Sequence, residues 1–529
     1  MPGTRWLGPV MIVAWGILAA AALARHSLNA SNLFDLGIFD QALWLISRGL
    51  PPISTTLGFH ILGDHASLAL YPLAALYWLP RPLFWLLCLQ ALALALIPLP
   101  VLRLARQAGL DNRWALTAAA TSLLYPAVFN LSLYEFHPEV LAVPLLLTAT
   151  WAGLEGRHGV LAICLAGVLG CKEVLGLTVA GLGAFFWLAG RKGTGVAVSV
   201  AGLAWFGVAA AWVIPAFSGH GPGAMARYAW LARADLRDLA WHLAGPPALW
   251  YLAMLLLPVA LGIRARHAWV AVPAIPVVLL NLFSAAPEQR DLIHQYTAPI
   301  FPFLLLWQIR SLADVQRLKP WHVAIWSVVG FLGFAKFGYF ATVFQADPKV
   351  LAAEHSAIRS VSGPGGVLAP SHLCPHLSHR VTIEMLHDNS AEDLAPYRYV
   401  IVDLPRPGWG SNAGTQQALL ERLMASPDWS PLLAQDGVFV YNRVDFAGPP
   451  PGASGADVAG TRADEPAVAV LLEGMRNEPD AAAGREHREG RAFRQPENAP
   501  QRDQPEVDGR VVAGQLGPGC SDGCGKSRL

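Results

Sequence analysis

Ionisable side chains are costly at membrane depth, so in a chain as apolar as this one they mark where chemistry is to be sought. Three clusters do so. The first is Phe34-Asp35-Leu36-Gly37-Ile38-Phe39-Asp40-Gln41, followed by Gly63-Asp64-His65. The second is Tyr134-Glu135-Phe136-His137-Pro138-Glu139, and the third is the adjacent pair Lys172-Glu173. A carboxylate such as Asp35 or Asp40 serves as a general base that takes a proton from a hydroxyl. Two carboxylates and an imidazole within a few residues also suit a divalent cation (Mg or Mn) or a metal-bound phosphate, although the spacing matches no specific signature. Plainer readings stand beside these. Asp40 fits a solvated polar face, the second cluster fits a wet loop whose Pro138 starts a helix, and Lys172-Glu173 fits a pair that neutralises itself.

Something has to position these groups. Ser31 or Asn32 caps a helix and Arg48-Gly49 ends it, so Asp35 and Asp40 are expected on an amphipathic helix at the outer membrane surface. Five residues apart they point about 140° away from each other, so both cannot face one small reactive atom.

The chain has 529 residues, 54% of them apolar and 14% charged, whereas a soluble protein carries about a quarter charged residues. That excludes an ordinary cytosolic enzyme. Of 38 basic and 37 acidic residues, 23 lie between Ala447 and Leu529, which marks a polar tail on a membrane body. A net charge of +1, with no basic stripe among aromatics, gives no reason to expect a nucleic-acid partner. Six scattered cysteines form no disulfide framework. Gly-rich phosphate loops, nucleophile elbows and zinc-protease helices are missing from the sequence, as are two matched halves with broken helices of the secondary-transporter kind.

Apolar segments recur at about 6–24, 66–102, 114–130, 140–154, 159–171, 174–190, 195–216, 246–263, 268–283, 297–310 and 321–341. The first is read as a retained signal anchor. Arg103, Arg106, Arg113, Arg157, Arg191, Lys192, Arg264, Arg266, Arg310, Arg317 and Lys319 all face the cytoplasm only if 66–102 crosses once, broken at Pro80-Arg81-Pro82. Eleven spans follow, with the loop 25–65, the loop 131–139 and everything after about 342 outside. Domain 1–344 is then a polytopic membrane body.

Residues 345–446 read as a small extracytoplasmic α/β domain. Strands are expected at Gly366–Ala369, Val381–Glu384 and Tyr399–Asp403, a helix at Gln416–Met424, and a hairpin over Trp429–Val444 turning at Asp436-Gly437. The loop His372, Cys374, His376, His379 has zinc-ligand residue types but irregular spacing, and is read as structural. Residues 447–529 are expected to be disordered apart from a short helix near Ala467–Met475.

Taken in order, the Phe34–Gln41 run, Gly63-Asp64-His65, Phe136-His137-Pro138-Glu139, Lys172-Glu173, His294-Gln295-Tyr296, His376-Leu377-Ser378-His379-Arg380 and Tyr399–Asp403 resemble the bacterial membrane-protein family catalogued as domain of unknown function 2079. The resemblance covers about 30–445. That family is similar to the C-type glycosyltransferases, polytopic inner-membrane proteins with an essential acidic residue in the first outer loop and a polyprenyl-phosphate sugar donor. The resemblance therefore implies transfer of a sugar to an envelope acceptor at the extracytoplasmic face, with Asp35 as the acidic residue and Glu135, His137 and Glu139 in the second outer loop. Where the family tends to have an acidic residue after Lys-Glu, this chain has Val174, which weakens a donor or metal role for Lys172 and Glu173. Cations expected to meet the leaving phosphate are Arg48, Lys172, Arg290 and His294. The alternative is a non-enzymatic transporter or envelope scaffold that keeps the fold.

Overall fold

Prolines and glycines punctuate the apolar runs, and the computed structural model, which describes residues 5–221, 223–315, 317–388 and 393–445, shows helices between them. Among the described residues, six helices are long and apolar enough to cross a membrane: Leu7–Ser27, Pro82–Gln107, Asn112–Leu133, Lys192–Ser218, Leu236–Val259 and Ala265–Phe283. Shorter apolar helices cover Pro138–Leu154, His158–Cys171, Leu175–Leu188 and Pro320–Phe334. Pro80-Arg81-Pro82 acts as a break. Arg81 takes a left-handed conformation (φ +54°), Pro82 occupies the first helical turn, and the preceding residues form only the short turns Leu70–Leu73 and Ala74–Trp78. Thus 66–102 contributes one long helix.

The first outer loop departs from the surface helix expected of it. Leu33–Gly37 is a π-helical turn, with the Asn32 side chain capping the Phe34 N–H, and it runs into the α-helix Ile38–Ser47. Leu33, Leu36, Ala42 and Leu43 are fully buried and Asp40 is 1% exposed. The amphipathic pattern is real, but the polar face is covered by the C-terminal region instead of water.

That region carries a five-stranded sheet in spatial order Ile383–Met385, Gly366–Ala369, Tyr397–Asp403, Val438–Arg443, Trp429–Gln435. The first three strands pair in parallel and the last two add antiparallel. The hairpin turns at Asp436 (φ +47°) and Gly437 (φ +81°), where the left-handed backbone favours Asp and Gly. One face packs the helix Ala413–Ala425 through Leu419, Leu420 and Leu423; the other packs the helix Pro348–Ser360, which periodicity had not marked, together with Leu33 of the outer loop. The Thr55 hydroxyl donates to the Ile383 carbonyl at 2.7 Å, and the Gln41 amide donates to the Arg380 and Val381 carbonyls at 3.2 and 3.0 Å. The sheet region is thereby stitched onto the loop that carries Asp35. The expected tail, its short helix and Cys520 and Cys524 lie outside the described residues.

Candidate active site at the first outer loop

Asp35 sits in the π turn, a distortion that recurs at functional sites because it re-aims a side chain. Its Oδ1 lies 3.5 Å from His137 Nε2, and its Oδ2 accepts the Tyr134 hydroxyl at 3.2 Å. The Tyr134 ring stacks on His137 and meets His294 edge-on. Burial pushes the Asp35 carboxyl up, but hydrogen bonding and charge attraction from His137, reinforced by His294 and Tyr134, outweigh it and hold the group below the usual carboxylate range. Asp35 is therefore an anion with one flank open, its side chain 24% exposed.

Glu135 explains the turn. Its carboxylate accepts the Asn32 and Leu36 N–H groups, both at 2.9 Å, and Arg25 approaches at 3.3 Å. These donors are the ones that a helix start leaves unpaired. Glu135 holds a left-handed backbone (φ +101°), a strained state for a residue with a Cβ. The strain is held in place by Gln90, buried in the middle of an apolar helix: its amide donates to the Leu131 carbonyl at 2.9 Å and to the Glu135 carbonyl, while its oxygen accepts the His137 N–H at 2.8 Å. One side chain thus fixes both ends of the Glu135–His137 bend.

The second outer loop does not converge on one ion. Glu135 turns to Arg25 and the π turn and His137 to Asp35, while Glu139 pairs with Lys172 at 2.8 Å. Pro138 separates them by starting the next helix, Pro138–Leu154. Lys172 and Glu173 do not neutralise each other either. Lys172 takes Glu139, and Glu173 lies 3.3 Å from His65 Nδ1, with Asp64 3.7 Å from the same ring. The turn Gly63-Asp64-His65 is thereby tied to the helix end at Cys171, where the Ser67 hydroxyl also donates to the Cys171 carbonyl at 2.8 Å.

Asp40 has a set of partners separate from those of Asp35. It accepts from Ser378 and Tyr77 and pairs with His379 at 3.2 Å, which makes it a bolt between loop and sheet. Three of the four anticipated cations are engaged within the protein, Lys172 by Glu139 and the other two as follows. Arg290 donates to the Leu282 and Ser284 carbonyls, and His294 is held by Asp291 at 2.7 Å. The loop with zinc-ligand residue types disperses: Cys374 is buried, His376 stacks on His26, and His379 goes to Asp40.

A cavity of about 310 Å³ opens beside Asp35. Its wall includes Arg25, Asn32, Asp35, Tyr134, Glu135 and Arg406, with Trp409 and His372 contributed from the sheet region. Of the acidic residues singled out in the sequence, Asp35 and Glu135 reach it. Its cations, Arg25 and Arg406, escaped sequence reasoning. Arg25 was legible as a charge closing the first apolar run, and Gln90 as the lone amide inside another. Arg406 gave no local signal.

The sequence profile described as "predicted membrane protein (DUF2079)" matches residues 25–440. The chain belongs to this family. No curated protein sequence matches it. The crystal structure of ArnT from Cupriavidus metallidurans bound to undecaprenyl phosphate is similar with a TM-score of 0.50 at 15% identity, over 84% of this chain and 99% of that one. Arabinofuranosyltransferase AftD from Mycobacteria, seen by cryo-electron microscopy, gives a TM-score of 0.42 at 16% identity, over 83% of this chain and 40% of that one. Both neighbours are C-type glycosyltransferase-like enzymes, and the ArnT likeness gives this DUF2079 member the same general fold.

Proposed function

We propose that this protein is an integral membrane glycosyltransferase that moves a sugar from a polyprenyl-phosphate donor to an envelope acceptor at the extracytoplasmic face of a bacterial inner membrane. The observation that carries the reading is Asp35, an anion held by His137 and Tyr134 on the wall of a cavity that also presents Arg25 and Arg406. A lipid-phosphate sugar offers its head group at the membrane interface, so its transfer calls for a base on a loop at that depth.

The reaction is an inverting displacement. Asp35 accepts the proton of the acceptor hydroxyl as that oxygen bonds to the anomeric carbon. The bond from that carbon to the phosphate oxygen breaks, and the polyprenyl phosphate leaves with the electron pair. Arg25 and Arg406, held in place by Glu135 and Glu354, face the departing dianion with groups positioned before the phosphate develops its charge. Tyr134 and His137 keep Asp35 ionised and oriented. Support comes from the ArnT-like fold and from the matching family positions. The test is a transfer assay of the purified protein with a panel of polyprenyl-phosphate sugars. Product that depends on the lipid donor supports the reading, and inertness across the panel favours a transporter or scaffold.

A further inference from the structure

Three side chains from separate elements meet in the sheet region: Glu354 of the helix Pro348–Ser360, His372 of the loop after Gly366–Ala369, and Asp403 at the end of Tyr397–Asp403. Glu354 and Asp403 are fully buried, and His372 is 8% exposed. His372 Nε2 lies 3.2 Å from Glu354 Oε1 and 3.4 Å from Asp403 Oδ2, and one ligand atom from each residue lies within 4.8 Å of the others.

The hydrogen bonding of this cluster does not close. His372 Nε2 carries at most one hydrogen, which goes to Glu354. Asp403 Oδ1 accepts the Arg406 N–H at 2.9 Å, but Asp403 Oδ2 has no hydrogen-bond partner among the described residues. Arg406 already meets Glu354 at 2.9 Å, so beside a neutral imidazole the unmatched charge is that of Asp403. A second unpaired oxygen lies close by: Asn29 donates its amide to Glu354 Oε2 at 2.8 Å, while its own Oδ1 is buried without a partner. Buried carboxylate oxygens are rarely left bare, because desolvation makes them costly. One Nε2 hydrogen makes one good hydrogen bond, whereas one dication can bind both acids and the imidazole together.

We propose that Glu354, His372 and Asp403 form a binding site for a divalent transition cation of the zinc class, fixing the sheet region beside the cavity. One imidazole and two carboxylates are a donor set such a cation accepts, and three protein ligands leave a further position for water or a cavity ligand. His372, Asn29 and Arg406 line that cavity. The inference stands independently of sugar transfer.

The test uses the full-length protein in detergent, stripped with a chelator and dialysed against Zn²⁺ or Co²⁺. One equivalent of metal, a Co²⁺ d–d absorption of a low-symmetry site and a melting temperature that rises with Zn²⁺ are expected. Asp403→Asn and Glu354→Gln should lose the equivalent and the thermal response. Retention of the metal in both variants would mean adventitious binding elsewhere and overturn the proposal. So would a wild-type protein that takes up no metal, with Asp403→Asn more stable than wild type, because the cluster would then be a protonated histidine between two acids. Should the variants not fold, the Co²⁺ spectrum of the wild-type protein decides: the absorption supports the site and its absence removes it.

Discussion

His137 Nε2 stands 3.5 Å from Asp35 Oδ1, and the two residues are brought together from loops more than 100 positions apart by a π turn on one side and a strained bend on the other. Neither loop alone makes the site. Burial opposes the charged form of Asp35, and His137 together with His294 and Tyr134 outweighs it.

That relationship sets a pH profile. A carboxylate base works when ionised, so activity is lost as pH falls through its pKa. Because Asp35 is held below the usual carboxylate range of about 4, the acid limb of kcat/KM should lie below that value in the wild-type protein. His137→Leu removes the stabilising partner and keeps the burial, so the limb should move to higher pH. An unmoved limb would mean that His137 does not act on the base.

Gln90 holds the bend through three hydrogen bonds. Gln90→Leu leaves buried backbone groups unpaired, each at about 1–3 kcal/mol. A marked drop in melting temperature together with weakened transfer is expected, whereas Gln90→Glu, able to keep the His137 N–H bond, should retain more of both. Equal stability of Gln90→Leu and wild type in thermal unfolding would contradict the bracing role.

Much of this was open to sequence reasoning and some was not. The strand at Gly366–Ala369 and the hairpin about Asp436-Gly437 could be read because alternation and turn chemistry are local. The break at Pro80-Arg81-Pro82 was equally local. The covered face of Ile38–Ser47 could not be read, since a polar face that meets a sheet more than 300 residues later has the same periodicity as one that meets water. For the same reason Asp35 and Glu135 stood out as acids in apolar company, while Arg406 did not. Its place on the cavity wall depends on how the sheet region meets the loop that carries Asp35.

Lys172 and Glu139 form a buried pair at 2.8 Å. Removing one partner of such a pair leaves an uncompensated charge at a cost of about 3–5 kcal/mol. Lys172→Met should therefore lower thermal stability sharply, and Lys172→Met with Glu139→Leu should recover much of the loss. If the single change leaves stability intact and abolishes donor binding instead, Lys172 is a phosphate ligand.

Read by the positive-inside rule, the arginine clusters predict that the first outer loop and the sheet region lie outside. In a background without native cysteines, Pro51→Cys and Met424→Cys should react with an impermeant thiol reagent added to intact cells, and Gln107→Cys should react only after lysis. Labelling of Gln107→Cys from outside alongside Pro51→Cys would contradict the single crossing of 66–102.

The most direct measurement is transfer by Asp35→Asn set beside Asp40→Asn. Asp35→Asn keeps shape and much of the hydrogen bonding but removes the proton acceptor, so turnover should fall about 10²–10⁴-fold while binding of the polyprenyl-phosphate sugar persists. Asp40→Asn, which weakens the bolt to Ser378 and His379, should lower stability and leave transfer by the folded protein far less affected. Transfer that tolerates Asp35→Asn but vanishes in folded Asp40→Asn would contradict the account at its centre.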